Sequence, residues 1–178
     1  MTWRSTKEDE KVEILHSIDA CNRARGEAFY MRYDGCTLDI SDLPFYPDTK
    51  LLKLSGTDIP GSPRWYVQLP KKKGKQEIVP MGRDIDAVHH CNAEAPLVLN
   101  DDTIYTYLKF RYFFAEGARV FELKVKNSAV GYSGKIWLFR RGGFFEIDVN
   151  VSARGNVTEL EKHPLPDISG IADGEFGL

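Results

Sequence analysis

The sequence has no run of apolar residues approaching the roughly 20 that a membrane-spanning helix needs. Its first ten residues are polar and acidic, so the apolar segment of a secretion signal is also missing. These two absences predict a soluble, cytoplasmic protein that has no membrane among its partners.

Cysteine is scarce, and the three that occur, Cys21, Cys36 and Cys91, are far apart in the sequence. An odd number at such spacings fits neither a disulfide framework nor a zinc ribbon. We therefore expect three free thiols.

An excess of one charge is lacking too, because 24 Lys and Arg residues oppose 26 Asp and Glu residues. This balance gives no general attraction to nucleic acid. Local basic clusters occur at residues 71–75, which contain four lysines, and at Arg140-Arg141. Because Glu146 and Asp148 follow the arginines, where an RNA-binding strand would be neutral or basic, we expect at most weak, salt-sensitive binding of nucleic acid.

Recognisable catalytic motifs are absent: the chain has no Gly-x-Ser-x-Gly elbow and no phosphate-binding glycine loop. His89, His90 and Cys91, with Glu94 nearby, are residue types that bind metals or form nucleophile–base pairs. Adjacent residues of an extended chain point to opposite faces, so the two histidines would not converge on one ion. We assign no catalytic residue, no metal and no cofactor.

Two helices are predicted, over residues 6–25 and 101–116. The first begins at the capping box formed by Ser5 and Glu8, and Gly26 ends it. The second follows the capping oxygens of residues 100–102 and ends at Gly117.

The remaining segments predict antiparallel strands. Asp34-Gly35 predicts a tight turn between strands at Phe29–Tyr33 and Cys36–Ile40, whereas residues 82–95 show no period and predict a surface loop. The order of helices and strands predicts one α+β domain over residues 1–178, mainly a curved antiparallel sheet with two helices packed on it. Residues 1–5 are expected to fray, and the tail, 164–178, to be loosely ordered.

Aromatic residues are unusually frequent on the predicted strands. Residues 135–139 are apolar on both faces, since Ile136 and Leu138 alternate with Trp137 and Phe139. Helices on one side can cover only one face. Either the sheet curls around a core or pocket, or its second face meets a partner. The partner-surface candidates are Trp65, Trp137, Phe139 and Phe144.

The segment Ala95-Pro96-Leu97-Val98-Leu99-Asn100, leading into Tyr107-Leu108, resembles one found in small bacterial proteins of unknown function. The resemblance covers a minority of the chain and implies no activity.

Two functional hypotheses follow from these patterns. The first is a non-enzymatic interaction module, whose aromatic sheet face or edge binds a protein partner or another copy of the chain. The alternative is an enzyme or small-molecule-binding protein, with a pocket under the 84–94 loop formed by His89, His90, Cys91 and Glu94.

Overall fold

The computed structural model describes residues 2–27, 35–57, 59, 61, 63–72 and 75–166. The predicted strand Phe29–Tyr33, Asp34 of the predicted turn and residues 167–178 of the tail lie outside this part, as do the side chains of the lysine cluster. The chain divides into two compact units: Met1–Leu43 with Asp48–Gly82, and Pro44–Pro47 with Arg83–Leu178. Among the described residues, no helix is long and apolar enough to span a membrane.

Within the described residues, the first unit contains one helix, α1 (Glu8–Ala24), and a five-stranded antiparallel sheet with the order β1-β2-β3-β4-β5. Its strands are β1 (Arg4–Ser5), β2 (Cys36–Asp42), β3 (Lys50–Gly56), β4 (Arg64–Lys72) and β5 (Lys75–Met81). Ile14, Leu15 and Ile18 lie on one face of α1 and pack into a core with Leu38 and Leu54 of the sheet. The predicted first helix is thereby confirmed, and Gly26, with a φ of 72°, follows its last turn.

The capping box predicted for α1 is wrong. The helix starts after Lys7, which makes no side-chain cap. Ser5 instead donates a 3.0 Å hydrogen bond to Asp39, and Thr6 donates one of 3.1 Å to the carbonyl of Leu38. Pairing with β2 takes both hydroxyls away from the helix end.

As far as residue 166, the second unit contains a four-stranded antiparallel sheet with the order β6-β7-β8-β9, and two helices. Its elements are α2 (Ile85–Glu94), α3 (Ile104–Glu116), β6 (Arg119–Ser128), β7 (Gly131–Arg140), β8 (Gly143–Ser152) and β9 (Val157–Leu165). The predicted second helix is α3, which ends at the left-handed Gly117. Arg141 and Gly142 both have positive φ and form the turn between β7 and β8.

The loop predicted over residues 82–95 is wrong, because these residues contain helix α2. Asp84 caps this helix by accepting a 2.9 Å hydrogen bond from the amide of Asp86. Val88, Cys91 and Ala95 are buried at helical spacing. Three small or medium side chains in a polar sequence gave too weak a periodic signal to reveal the helix.

The α+β class with antiparallel strands is confirmed. The strands form two open sheets rather than a single one, and three helices occur in the described residues. Cys21, Cys36 and Cys91 form no disulfide, as expected.

Candidate functional site

The second sheet has one face that α3 covers, here called the inner face. Helix α3 packs against β6, and its Tyr112 donates a 3.1 Å hydrogen bond to Glu159 on β9. Ile136 and Leu138 of β7 point to this face and are fully buried. Their neighbours Trp137 and Phe139 point to the opposite side, the outer face.

Aromatic side chains gather at one end of the outer face, near the β7–β8 turn. The aromatic patch consists of Phe121, Trp137, Phe139 and Phe144. Phe139 and Phe144 are cross-strand partners with ring centroids 5.1 Å apart. Phe139 is 37% exposed and Trp137 is partly exposed, whereas Phe144 is 9% exposed.

Phe121 joins the aromatic patch through an irregularity that alternation does not predict. The pairing of β6 with β7 shifts between Val120 and Glu122, which leaves Phe121 at a β-bulge. Its ring centroid lies 6.0 Å from that of Phe144. Simple alternation would place Phe121 on one face with Leu123 and Val125, so only the pairing with β7 reveals its position.

Charged side chains cover the rest of the outer face. Lys124 lies over the ring of Trp137, 4.8 Å from its centroid, and pairs with Glu122 at 2.8 Å. Lys135 contacts Glu146 and lies 3.9 Å from Asp148. The hydrogen bond from Lys135 holds the pKa of Glu146 below its usual value, and that from Glu146 raises the pKa of Lys135.

Asp148, Glu161 and His163 form a trio whose ligand atoms lie within 4.8 Å of one another. Nε2 of His163 is 3.3 Å from a carboxylate oxygen of Glu161. The ammonium of Lys135 lies beside Asp148 and would compete with a cation for it. No sequence motif marked this trio, because β8 and β9 bring it together only by pairing.

The inner face carries an ion network at the same end of the sheet. Arg140 bonds to Glu116 of α3 and, at 2.9 Å, to Glu159 of β9, while Arg111 bonds to Glu116 at 2.8 Å. Burial by itself would raise the pKa of Glu116, but the hydrogen bonds from the two arginines outweigh it and hold that pKa below its usual value. The network fixes the end of α3 against the sheet.

A cavity of about 220 Å³ lies beside this network. It is lined by Glu116, Arg140, Arg141, Phe145 and Lys162. Nζ of Lys162 lies 3.8 Å from the centroid of the Phe145 ring. Both carboxylates of the network are engaged by arginines, and Arg141 and Lys162 add two further cations to the lining of the cavity.

Trp65, the remaining partner-surface candidate, belongs to β4 in the first sheet. It is partly exposed, and its ring centroid lies 5.7 Å from that of Trp3. Lys53 lies over the same ring, 5.9 Å from its centroid. The structure thus gathers three of the four candidates on the outer face and places Trp65 in the other unit.

The pocket candidates lie on α2. His89 and His90 are exposed, and Cys91 is fully buried. His90 and Glu94 are four residues apart and are neighbours on one face of the helix, whereas an extended chain would hold them about 13 Å apart. None of these four residues lines the cavity beside Arg140, and their role in binding stays a prediction.

Next to the pocket candidates on α2, Asn92 connects two buried tyrosines. It accepts a hydrogen bond from Tyr46 and donates one of 3.0 Å to Tyr107, which donates one of 2.6 Å to the carbonyl of Gly155. Burial raises the pKa of both tyrosines, so their hydroxyls stay neutral. The chain of hydrogen bonds ties α2, α3 and the β8–β9 turn together.

No protein-family model, curated protein or solved structure matches this chain.

Proposed function

We propose that the protein is a non-enzymatic interaction module that binds a protein partner through the outer face of its second sheet. The observation that carries the proposal is the exposure of Phe139 and Trp137 on the face opposite the covering helix. Aromatic residues are enriched in the cores of protein interfaces, where they provide much of the binding energy.

The chemistry around the aromatic patch favours a protein over a lipid partner. Lys124, Glu122, Lys135 and Glu146 surround Trp137 with side chains of both charges. An apolar centre with a mixed polar rim is the usual composition of a protein interface. A surface that binds lipid would instead carry only positive side chains around its apolar residues.

The test is site-specific photo-crosslinking in cells that produce the full chain. A photoreactive phenylalanine derivative replaces Phe139 in one variant and Val130 in the other. Val130 is 66% exposed in the turn between β6 and β7, so it is a matched control on the same sheet. We expect an adduct of one defined mass from position 139 and none from position 130.

Equal crosslinking from both positions, or none from position 139, would contradict the proposal. The mass of the adduct identifies the kind of partner. An adduct of twice the 20.2 kDa chain mass indicates a second copy, and any other single mass indicates a different protein.

Binding of a small anion is a second candidate function, supported by the cavity at Arg140. A guanidinium fork and an ammonium suit a carboxylate or phosphate, and Phe145 offers an apolar wall for an attached carbon skeleton. We expect citrate or inorganic phosphate to raise the melting temperature above that in chloride at equal ionic strength. Lys162→Gln, which removes one cation, should reduce the difference to the general stabilisation by excluded anions, and an unchanged difference in this variant would rule out the cavity.

A further inference from the structure

Charge is divided between the two halves of the outer face. The registers of the sheet place three lysine cations on the β6–β7 half, together with one carboxylate, Glu122, and three carboxylates on the β8–β9 half. The cations are Lys124, Lys126 and Lys135, and the carboxylates of the β8–β9 half are Glu146, Asp148 and Glu161. The aromatic patch spans both halves at the end of the sheet near the β7–β8 turn.

We propose that the partner is a second copy of this chain, packed face to face about a twofold axis parallel to the strands between β7 and β8. This inference rests on the proposed function and names its partner. Rotation about such an axis keeps each residue at its level along the strands and exchanges the two halves. It lays β6 over β9 of the second copy, and β7 over β8.

The same rotation makes the outer face complementary to itself. Lys124, Lys135 and Asp148 occupy one level of the sheet by register, and Glu161 lies within reach of Asp148. Lys124 therefore meets Glu161 of the second copy. Packed sheets lie about 10 Å apart and cross at about 30°, a separation that a lysine and a glutamate can span together.

Two members of the aromatic patch, Phe139 and Phe144, also fit this twofold symmetry. Phe139 and Phe144 are direct partners on β7 and β8, so the rotation places Phe139 over Phe144 of the second copy. These two rings then meet, Trp137 lies over Glu146 of the second copy, and Lys124 and Lys135 each face a carboxylate. A twofold interface requires one patch to complement itself in this way.

The area of the face is sufficient for a stable dimer. Four strands spaced about 4.8 Å apart and about ten residues long, at about 3.4 Å per residue, present roughly 600 Å² on each copy. The total of about 1,200 Å² exceeds the roughly 1,000 Å² expected of a biological interface.

Pairing through the exposed edge of β6 is the main competing arrangement. Lysines on an edge strand hinder such pairing, and β6 carries Lys124 and Lys126. Edge pairing also brings β6 to β6, so Lys124 would not meet Glu161. The two arrangements thus differ in the partner of Lys124.

The test is sedimentation equilibrium of the full chain and two charge reversals, Lys124→Glu and Glu161→Lys. Their side chains are 69% and 72% exposed, so both variants should fold. We expect the wild type to be a dimer whose Kd rises with salt. Each reversal turns two attractive pairs of the dimer into repulsive ones and should weaken it about tenfold or more.

Mixing the two reversed chains in equal amounts is the decisive step. The mixed dimer contains one native Lys124–Glu161 pair and one reversed pair, both attractive, so its Kd should return to that of the wild type. Lys7→Glu, an exposed lysine of the first unit, is the control and should leave the Kd unchanged.

Three results would overturn this inference. They are a wild type that stays monomeric at every concentration, reversed chains that dimerise as well as the wild type, and a mixture that associates no better than either chain alone. A monomeric wild type that still yields an adduct of another mass from position 139 would leave the proposed function standing.

Discussion

At the scale of single residues, the carboxyl of Glu10 has a pKa far below its usual value, and only two cations cause the shift. Arg4 holds it with two hydrogen bonds of 2.7 and 2.8 Å, and Lys50 lies 3.6 Å away. These cations lower its pKa from 4.5 to about 2, mainly through the hydrogen bonds from Arg4. The pair ties the N-terminal strand to the start of α1.

We expect the carboxyl carbon of Glu10 to titrate near pH 2 in an NMR experiment. Because the folded-state pKa is lowered, the pair stabilises the fold above pH 4.5, and this stabilisation disappears as the pH falls towards 2. Arg4→Gln should move the midpoint back towards 4.5. A midpoint near 4.5 in the wild type would contradict the ion pair.

Ile136 and Phe139 test the assignment of the two faces of β7. Ile136 is fully buried, so Ile136→Ala should lower the free energy of unfolding by about 2–5 kcal/mol. Phe139→Ala removes a partly exposed ring that contacts Phe144, and should cost only about 1 kcal/mol. Urea unfolding at low protein concentration measures both changes, and similar losses in the two variants would contradict the assignment.

At the scale of elements, the cap of α2 can be tested by replacing its side-chain acceptor. Asp84→Ala leaves the amide of Asp86 without a partner and should cost about 0.5–2 kcal/mol. Asp84→Asn keeps an acceptor oxygen and should restore most of the loss. Thermal unfolding compares the three proteins, and an alanine variant as stable as the wild type would show that the cap is unimportant.

The pairing of β6 with β7 depends on the lack of a side chain at Gly134. Its φ is 153°, and a Cβ there would lie 2.1 Å from the carbonyl oxygen of Lys124. Gly134→Ala should therefore destabilise the protein by about 1–3 kcal/mol, as overpacking does. Gly142→Ala is the control, because that glycine has positive φ but no atom within 4 Å of the added Cβ. A control variant that loses as much stability as Gly134→Ala would rule out the clash.

At the scale of the whole molecule, the chain passes from one compact unit to the other after Leu43, Pro47 and Gly82. Each unit is thus assembled from two separate stretches of sequence. Phe45 belongs to the short inserted stretch and is fully buried, with its ring centroid 5.3 Å from that of Tyr107. Unfolding of either unit would therefore also displace the chain segments that lead into the other unit.

From this connectivity we keep the prediction of a single domain and expect one calorimetric transition. The ratio of van't Hoff to calorimetric enthalpy should be close to one for the monomer. Two resolved transitions would show that the units unfold independently.

The sequence by itself determined the elements whose signals are local. Gly26 and Gly117 end helices because their backbones adopt positive φ. Alternation along residues 135–139 separated Ile136 and Leu138 from Trp137 and Phe139, because side chains of a strand point to opposite faces in turn. These signals act over a few residues, so they can be read without knowing the fold.

Only the tertiary structure decided which face of β7 is covered and what lies beside it. Whether Phe139 is core or surface depends on where α3 packs, and Phe121 reaches Phe144 only because a bulge shifts the register. The opposite charges on the two halves of the outer face likewise come from residues distant in sequence. The same is true of the Glu116–Arg140–Glu159 network. Such contacts arise from strand pairing and packing between elements, and the local sequence of one element does not encode the position of another.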